Sequence, residues 1–169
     1  RVRDIEMIFQ DTMTSLHPMI TIQTQLTEHL RHHRKVSKDT ARQSALELLD
    51  TVKIPDPASA LKAHAGQFSG GMRQRIAIAM ALACDPKLLI ADEPTTALDV
   101  TVQAGILKLL RQLRSERDLS IMVITHDLGV LSSLTDRIMI MYAGSEAESG
   151  TASDLLPVSY THLTLPTTD

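Results

Sequence analysis

Tryptophan is absent from this chain of 169 residues, and Phe and Tyr together make up only 2% of it. Any core must therefore be aliphatic, with the eight methionines as adaptable filler. Cysteine occurs once, as Cys84, which excludes an internal disulfide framework and fits a reducing, cytoplasmic setting. Cys84 ends the longest apolar run, residues 76–84, and is read there as a buried thiol. That run is far short of the roughly 20 residues that cross a bilayer, so a membrane would be reached through another chain. An excess of positive charge is also missing. With 17 Lys and Arg against 20 Asp and Glu, the net charge of −3 gives no electrostatic case for nucleic acid as a main partner. No Gly in the sequence is followed by Lys, so the phosphate-cradling pattern Gly-x-x-x-x-Gly-Lys-Ser/Thr does not occur in these residues. What is present is ordinary for a globular domain: 43% hydrophobic and 22% charged residues, enough for one sizeable core.

Residues 2–9 alternate loosely and predict a strand leading into Phe9-Gln10-Asp11, followed by a loop punctuated by Pro18. Ile22, Leu26 and Leu30 then recur at helical spacing. Ser37 reads as the N-cap of a second helix carrying Ala41, Ala45, Leu48 and Leu49. Pro55-Asp56-Pro57 breaks that helix, and a short helix or loop runs on to Gln67. Further along, residues 88–91 read as a strand and 101–117 as an amphipathic helix with Val102, Ile106, Leu109, Leu110 and Leu113 on one face. Two more strands are expected at 121–124 and 138–142. The fold class expected is α/β, a parallel sheet flanked by helices, interrupted by an all-helical subdomain at about residues 20–75.

Two segments carry chemistry. Phe68-Ser69-Gly70-Gly71-Met72-Arg73-Gln74-Arg75 places a serine and two glycines at a helix start. A helix N-terminus offers unpaired N–H groups to a phosphate, although Ser69 could equally be a plain N-cap. Two glycines inside a helix cost about 1 kcal/mol each relative to Ala, so their presence points to a close approach by a ligand or a backbone. Downstream, the strand at 88–91 delivers Asp92 and Glu93 at its C-terminal end, followed by Pro94-Thr95-Thr96-Ala97-Leu98-Asp99. Such an acid pair suits magnesium binding and water activation in phosphoryl transfer; by itself it could be a solvated strand end. His126, in Ile124-Thr125-His126-Asp127, follows another strand, where a lone His is more often structural. His29, His32 and His33 have helical spacing that could hold a metal, but Arg31, Arg34 and Lys35 surround them and no Cys or carboxylate completes a site in the sequence. That cluster reads as a solvated face near a partner.

In order and spacing, these segments resemble the signature motif and Walker B of the ATP-binding cassette ATPases, over residues 5 to about 157. The resemblance implies a P-loop NTPase fold and an ATPase using ATP and Mg²⁺. On it, Asp92 holds Mg²⁺ and Glu93 is the general base. His126 is the switch histidine at the γ-phosphate, and Gln10 is the Q-loop residue that senses Mg²⁺ and the γ-phosphate. Ser69, Gly70, Gly71 and Gln74 belong to the signature that binds an ATP held by the opposite subunit, and Asp99 to the loop that crosses to that subunit. The family's P-loop would precede Arg1, so the chain reads as a domain fragment, residues 1–157, expected to turn over little ATP alone.

The wording of Met7-Ile8-Phe9-Gln10-Asp11, of 68–75 and of 91–101 is similar to the ATP-binding subunits of dipeptide, oligopeptide and nickel importers, and Gly71-Met72-Arg73 to their "D" type. Implied partners are membrane-spanning permease subunits, a second ATP-binding subunit and, indirectly, a substrate-binding protein, at the cytoplasmic face of the membrane. Thr12 and His17 depart from the branch in the loop that faces the membrane subunits, and Glu146 replaces an apolar residue in a hairpin after Gly144. The alternatives are a soluble ATPase of this family acting in DNA repair or translation, and a fragment without catalytic activity. Finally, residues 158–169 resemble a translated sequencing-library adapter and are expected to be read-through; the other reading is a native Thr-rich segment retaining Tyr160-Thr161.

Overall fold

The structure, a computed structural model, describes residues 4–10 and 15–156. They fall into two units, one running to Ile124 and one from Thr125 onward. The tail at 158–169 and the departure at Thr12 lie outside the described residues.

The first unit is built on three parallel strands, β1 (Ile5–Ile8), β2 (Leu88–Asp92) and β3 (Ser120–Ile124), in that spatial order. Ile8 pairs with Ala91 and Asp92 with Ile124, so the strand ends lie level. Parallel neighbours need a long crossover. Between β2 and β3 it is helix α5 (Val100–Glu116); between β1 and β2 it is the helical block. That block comprises α1 (Ile22–Arg34), α2 (Lys38–Thr51), α3 (Pro57–Lys62), a 3₁₀ turn at Ala65–Gln67 and α4 (Gly70–Leu82).

Each of these helices opens on a side-chain cap, at Ser37 and Ser69 as the sequence predicts. Thr21, Ser37, Asp56, Ser69 and Asp99 are the N-caps of α1 to α5, each side chain accepting a backbone N–H of its own first turn. The predicted stripes are the buried ones: Ile22, Leu26 and Leu30 on α1 face Ala41, Ala45, Leu48 and Leu49 on α2, and these two helices pack together. On α5 the buried set is Ile106, Leu107, Leu109, Leu110 and Leu113, while Val102 is half-buried. Helix α4 packs on both β1 and α5, and is buried nearly all round. Cys84, expected in the core, is half-buried, because it lies two residues beyond the end of that helix.

The sheet has two unequal faces. Ile8, Leu89 and Ala91 are buried on one, whereas Ile5, Met7, Met122 and Ile124 are 36–52% exposed on the other. Strands apolar on both faces are those of a sheet covered on both sides. An uncovered apolar face of this kind binds whatever is available. The 169-residue chain is therefore expected to bind an apolar-surface dye and to self-associate. Met122→Lys should weaken both without lowering the melting temperature; unchanged dye binding would place the sticky surface elsewhere.

The second unit contains α6 (Leu128–Leu134) and an antiparallel hairpin of β4 (Arg137–Tyr142) and β5 (Ser145–Thr151). The strand expected at 138–142 forms and pairs antiparallel with β5, in the hairpin expected after Gly144. The reason is local: Ala143 (φ 47°) and Gly144 (φ 81°) are both left-handed, the two-residue turn that sends a strand straight back along itself. Glu146 is exposed on β5 opposite Met141, its carboxylate accepting a hydrogen bond from the Ser149 hydroxyl, so no apolar partner is lost. Val130, Leu134, Ile138 and Leu155 form the core of this unit.

Candidate functional site

Parallel pairing brings all three strand C-termini of the first unit to one edge, the edge at which open α/β sheets bind ligands. Gln10 lies two residues past β1, Asp92 is the last residue of β2, and Glu93 follows it. Ile8, two residues before Gln10, is level with Ala91, the residue before Asp92, so the two segments leave the sheet at the same edge. The Glu93 N–H donates to the Ile124 carbonyl at 2.8 Å, extending the ladder by one residue. There the chain turns sharply: Glu93 sits at φ 48°, a left-handed conformation that costs a non-glycine residue about 1–2 kcal/mol. Strain of this sort persists where the surroundings over-determine it, typically at functional sites. Here the surroundings are Thr96, whose hydroxyl donates to Glu93 Oε2 and whose N–H donates to the Glu93 carbonyl at 3.2 Å. Asp92 and Glu93 are both half-exposed, hard oxygen donors side by side, a set that fits Mg²⁺.

The loop then meets the start of α4. A Cβ on Gly70 would lie 3.3 Å from Leu98 Cδ2, and one on Gly71 would lie 2.3 Å from Val102 Cγ1. At Gly71 the close approach is made by the Val102 side chain on α5 rather than by a ligand or a backbone. Ser69 is exposed and Gly70 half-exposed, so the helix start remains accessible while Gly71 is closed off. Ser69 Oγ accepts the Met72 N–H at 3.3 Å and Asp99 Oδ1 accepts the Val102 N–H at 2.9 Å, capping two adjoining helices. Gln74, expected among the nucleotide contacts, is only 4% exposed, and its Nε2 has no hydrogen-bond partner among the described residues. His126 is exposed and belongs to the second unit, just before Asp127, whose carboxylate caps α6 through the Gly129 N–H at 2.7 Å.

Two features of the first unit escape a reading of the sequence. Gln25 interrupts the apolar stripe of α1, yet it is 8% exposed. Its Oε1 accepts the His17 N–H at 2.8 Å, and its Nε2 donates to the carbonyls of His17 at 3.1 Å and Ile20 at 3.0 Å. It thereby pins the 17–20 loop to the helix. Gln25→Ala removes all three bonds and is expected to lower the unfolding free energy by about 1–3 kcal/mol in urea titration; no change would mean that the loop is held otherwise. A polar residue on a buried helical stripe was the available signal. Beside this loop is an open cavity of about 520 Å³, lined in part by His17, Ile20, Gln25, His29, His33 and Met80. Burial and the neighbouring His33 hold the His29 imidazole below its ordinary value of 6.5, with Glu6 opposing the shift.

Comparison with known proteins agrees with this architecture. The ABC transporter family profile matches residues 1–96. The chain belongs to the ABC transporter family. It is 56% identical over 155 residues to the dipeptide transport ATP-binding protein DppD of Bacillus subtilis, covering 92% of this chain and 46% of that protein. Against the oligopeptide transport ATP-binding protein OppD of Escherichia coli the identity is 52%, with the same coverage of 92% and 46%. The chain thus spans less than half the length of these relatives. Among solved structures, the dimeric post-hydrolysis state of the ATP-binding cassette MJ0796 bound to ADP and Pi superposes with a TM-score of 0.76 at 31% identity, over 89% of this chain and 64% of that one. The cbiO1 cassette of Clostridium perfringens, part of an ABC transporter complex, gives 0.80 at 26% identity, over 97% and 65%. Among the described residues, no helix is long and apolar enough to cross a membrane.

Proposed function

We propose that this chain is part of the ATP-hydrolysing subunit of an importer for peptides or related small solutes. The observation that carries the reading is the strained Asp92–Glu93 pair at the C-terminal edge of a parallel sheet. In this reading Asp92, aided by Gln10, would hold Mg²⁺, which when bound would screen phosphate charge. Glu93 takes a proton from the attacking water, and His126 donates a hydrogen bond at the γ-phosphate. The start of α4, with Ser69 exposed, Gly70 half-exposed, Gly71 behind them and Gln74 on the same helix, serves an ATP held by a second ATP-binding subunit, and Asp99 belongs to the loop that crosses to it. ATP then favours the closed pair of subunits because each site is completed across the interface, and loss of the γ-phosphate removes that preference. The 17–20 loop and the adjoining cavity receive the membrane-spanning permease at the cytoplasmic face of the membrane, and a separate binding protein delivers the cargo. The names of the relatives favour transport over DNA repair or translation.

The test is an exchange. Residues 4–156 replace the matching segment of the Bacillus subtilis dipeptide protein, and ATP hydrolysis and dipeptide uptake are measured. Both activities are expected in the chimera, with background ATP turnover from the 169-residue chain alone. A folded chimera that neither hydrolyses ATP nor drives uptake would overturn the reading, as would robust hydrolysis by the chain alone that is insensitive to Glu93→Gln.

A further inference from the structure

We propose that His29, His33 and Cys84 form a binding site for a zinc-type divalent ion where the C-terminal turn of α1 meets the end of α4. The sequence separates the thiol from His29 by 55 positions, and the fold brings Cys84 Sγ to 3.1 Å from His29 Nε2. His29 and His33 are one helical turn apart on the same face of α1, their ring centroids 4.5 Å apart. One ligand atom from each of the three residues lies within 4.8 Å of the others. A tetrahedral zinc site, with Zn–S about 2.3 Å and Zn–N about 2.0–2.1 Å, separates its ligand atoms by about 3.5 Å. The Cys84–His29 pair is already close to that spacing, and His33 needs a shift of about 1 Å.

All three residues are half-buried, so an ion can enter yet is partly shielded. His33 and His29 also line the open cavity beside the 17–20 loop, which supplies the entry path. Three protein ligands leave a fourth position for water or for His32, whose ring lies 4.9 Å from that of His33. Thiolate and imidazole donors select zinc or cobalt over magnesium, so this site does not compete for the ion of the acid pair. The basic residues Arg31, Arg34 and Lys35 oppose a cation, and the Cys84 thiolate and the nearby Glu6 charge oppose them in turn. On binding, the Cys84 S–H bond breaks, its proton leaves to solvent, and a sulfur–metal bond replaces a metal–water bond. None of these residues belongs to the nucleotide reading.

The experiment uses the 169-residue chain under reducing conditions, titrated with Co²⁺ in the absence of nucleotide. One equivalent should bind with a thiolate-to-cobalt charge-transfer band, and one equivalent of Zn²⁺ should displace it. Cys84→Ser should abolish the band, and His29→Gln and His33→Gln should each weaken binding by more than about tenfold. As a measurement that needs no variant, saturating Zn²⁺ should slow modification of Cys84 by a thiol reagent at least tenfold. An absent band, a band that survives both histidine substitutions, or a thiol as reactive with Zn²⁺ as without it would each overturn the site.

Discussion

Replacing Glu93 by Gln is expected to lower ATP turnover by about 10²- to 10⁴-fold, the range associated with a positioned general base. The substitution keeps the shape of the side chain and an oxygen to accept from the Thr96 hydroxyl, so the turn at φ 48° and its hydrogen bonds should persist. What is lost is basicity. In the chimera with the Bacillus subtilis protein, ATP affinity should therefore stay within a few-fold while hydrolysis collapses, and the subunits should accumulate in the closed, ATP-bound state. Turnover retained within tenfold would remove Glu93 from the base role. Loss of ATP binding together with turnover would show that the residue holds the nucleotide instead.

Gly71→Ala should be the most damaging small substitution in the helical framework, costing about 2 kcal/mol net of unfolding free energy. The new methyl would stand 2.3 Å from Val102 Cγ1, against a normal carbon–carbon contact of about 3.5–4.0 Å. Val102 is β-branched and sits in the first turn of α5, so its side chain has little freedom to move aside. The helix-forming advantage of Ala over Gly, up to about 1 kcal/mol, offsets only part of the strain. Adding Val102→Ala removes the opposing methyl, and the double variant should melt above Gly71→Ala alone. If Gly71→Ala melts like the parent chain, α4 and α5 do not approach as closely as the structure shows. The same approach sets Gly70 against Leu98, so the substitution should also push the accessible start of α4 away from Asp99.

What could be read from residues alone divides along physical lines. Caps and stripes were legible because they are local: Ser37 and Ser69 cap where a hydroxyl precedes a helical pattern, and Ala41, Ala45, Leu48 and Leu49 bury where the period places them. The acid pair was legible for the same reason, as a strand ending in two carboxylates. Features that need two distant segments were not. The sequence showed three histidines among arginines, and only the fold adds Cys84 to them. The two glycines announced a close approach by a ligand or a backbone, and at Gly71 it is the Val102 side chain that approaches. The strand at 138–142 and the hairpin after Gly144 were legible for the same local reason, since a glycine marks the turn that Ala143 and Gly144 make together. The resemblance assigns Gln74 to the nucleotide-binding signature, and only the fold shows it 4% exposed on a helix buried nearly all round.

Helix α4 is 13 residues long, about 20 Å from end to end. Ser69 stands before its first residue, and Cys84, two residues beyond its last, touches His29. Between those two ends it packs along its side on α5 and β1. The accessible helix start and the Cys84–His29 contact are thus the two ends of one element about 20 Å long, so occupancy of either end can be tested for its effect on the other.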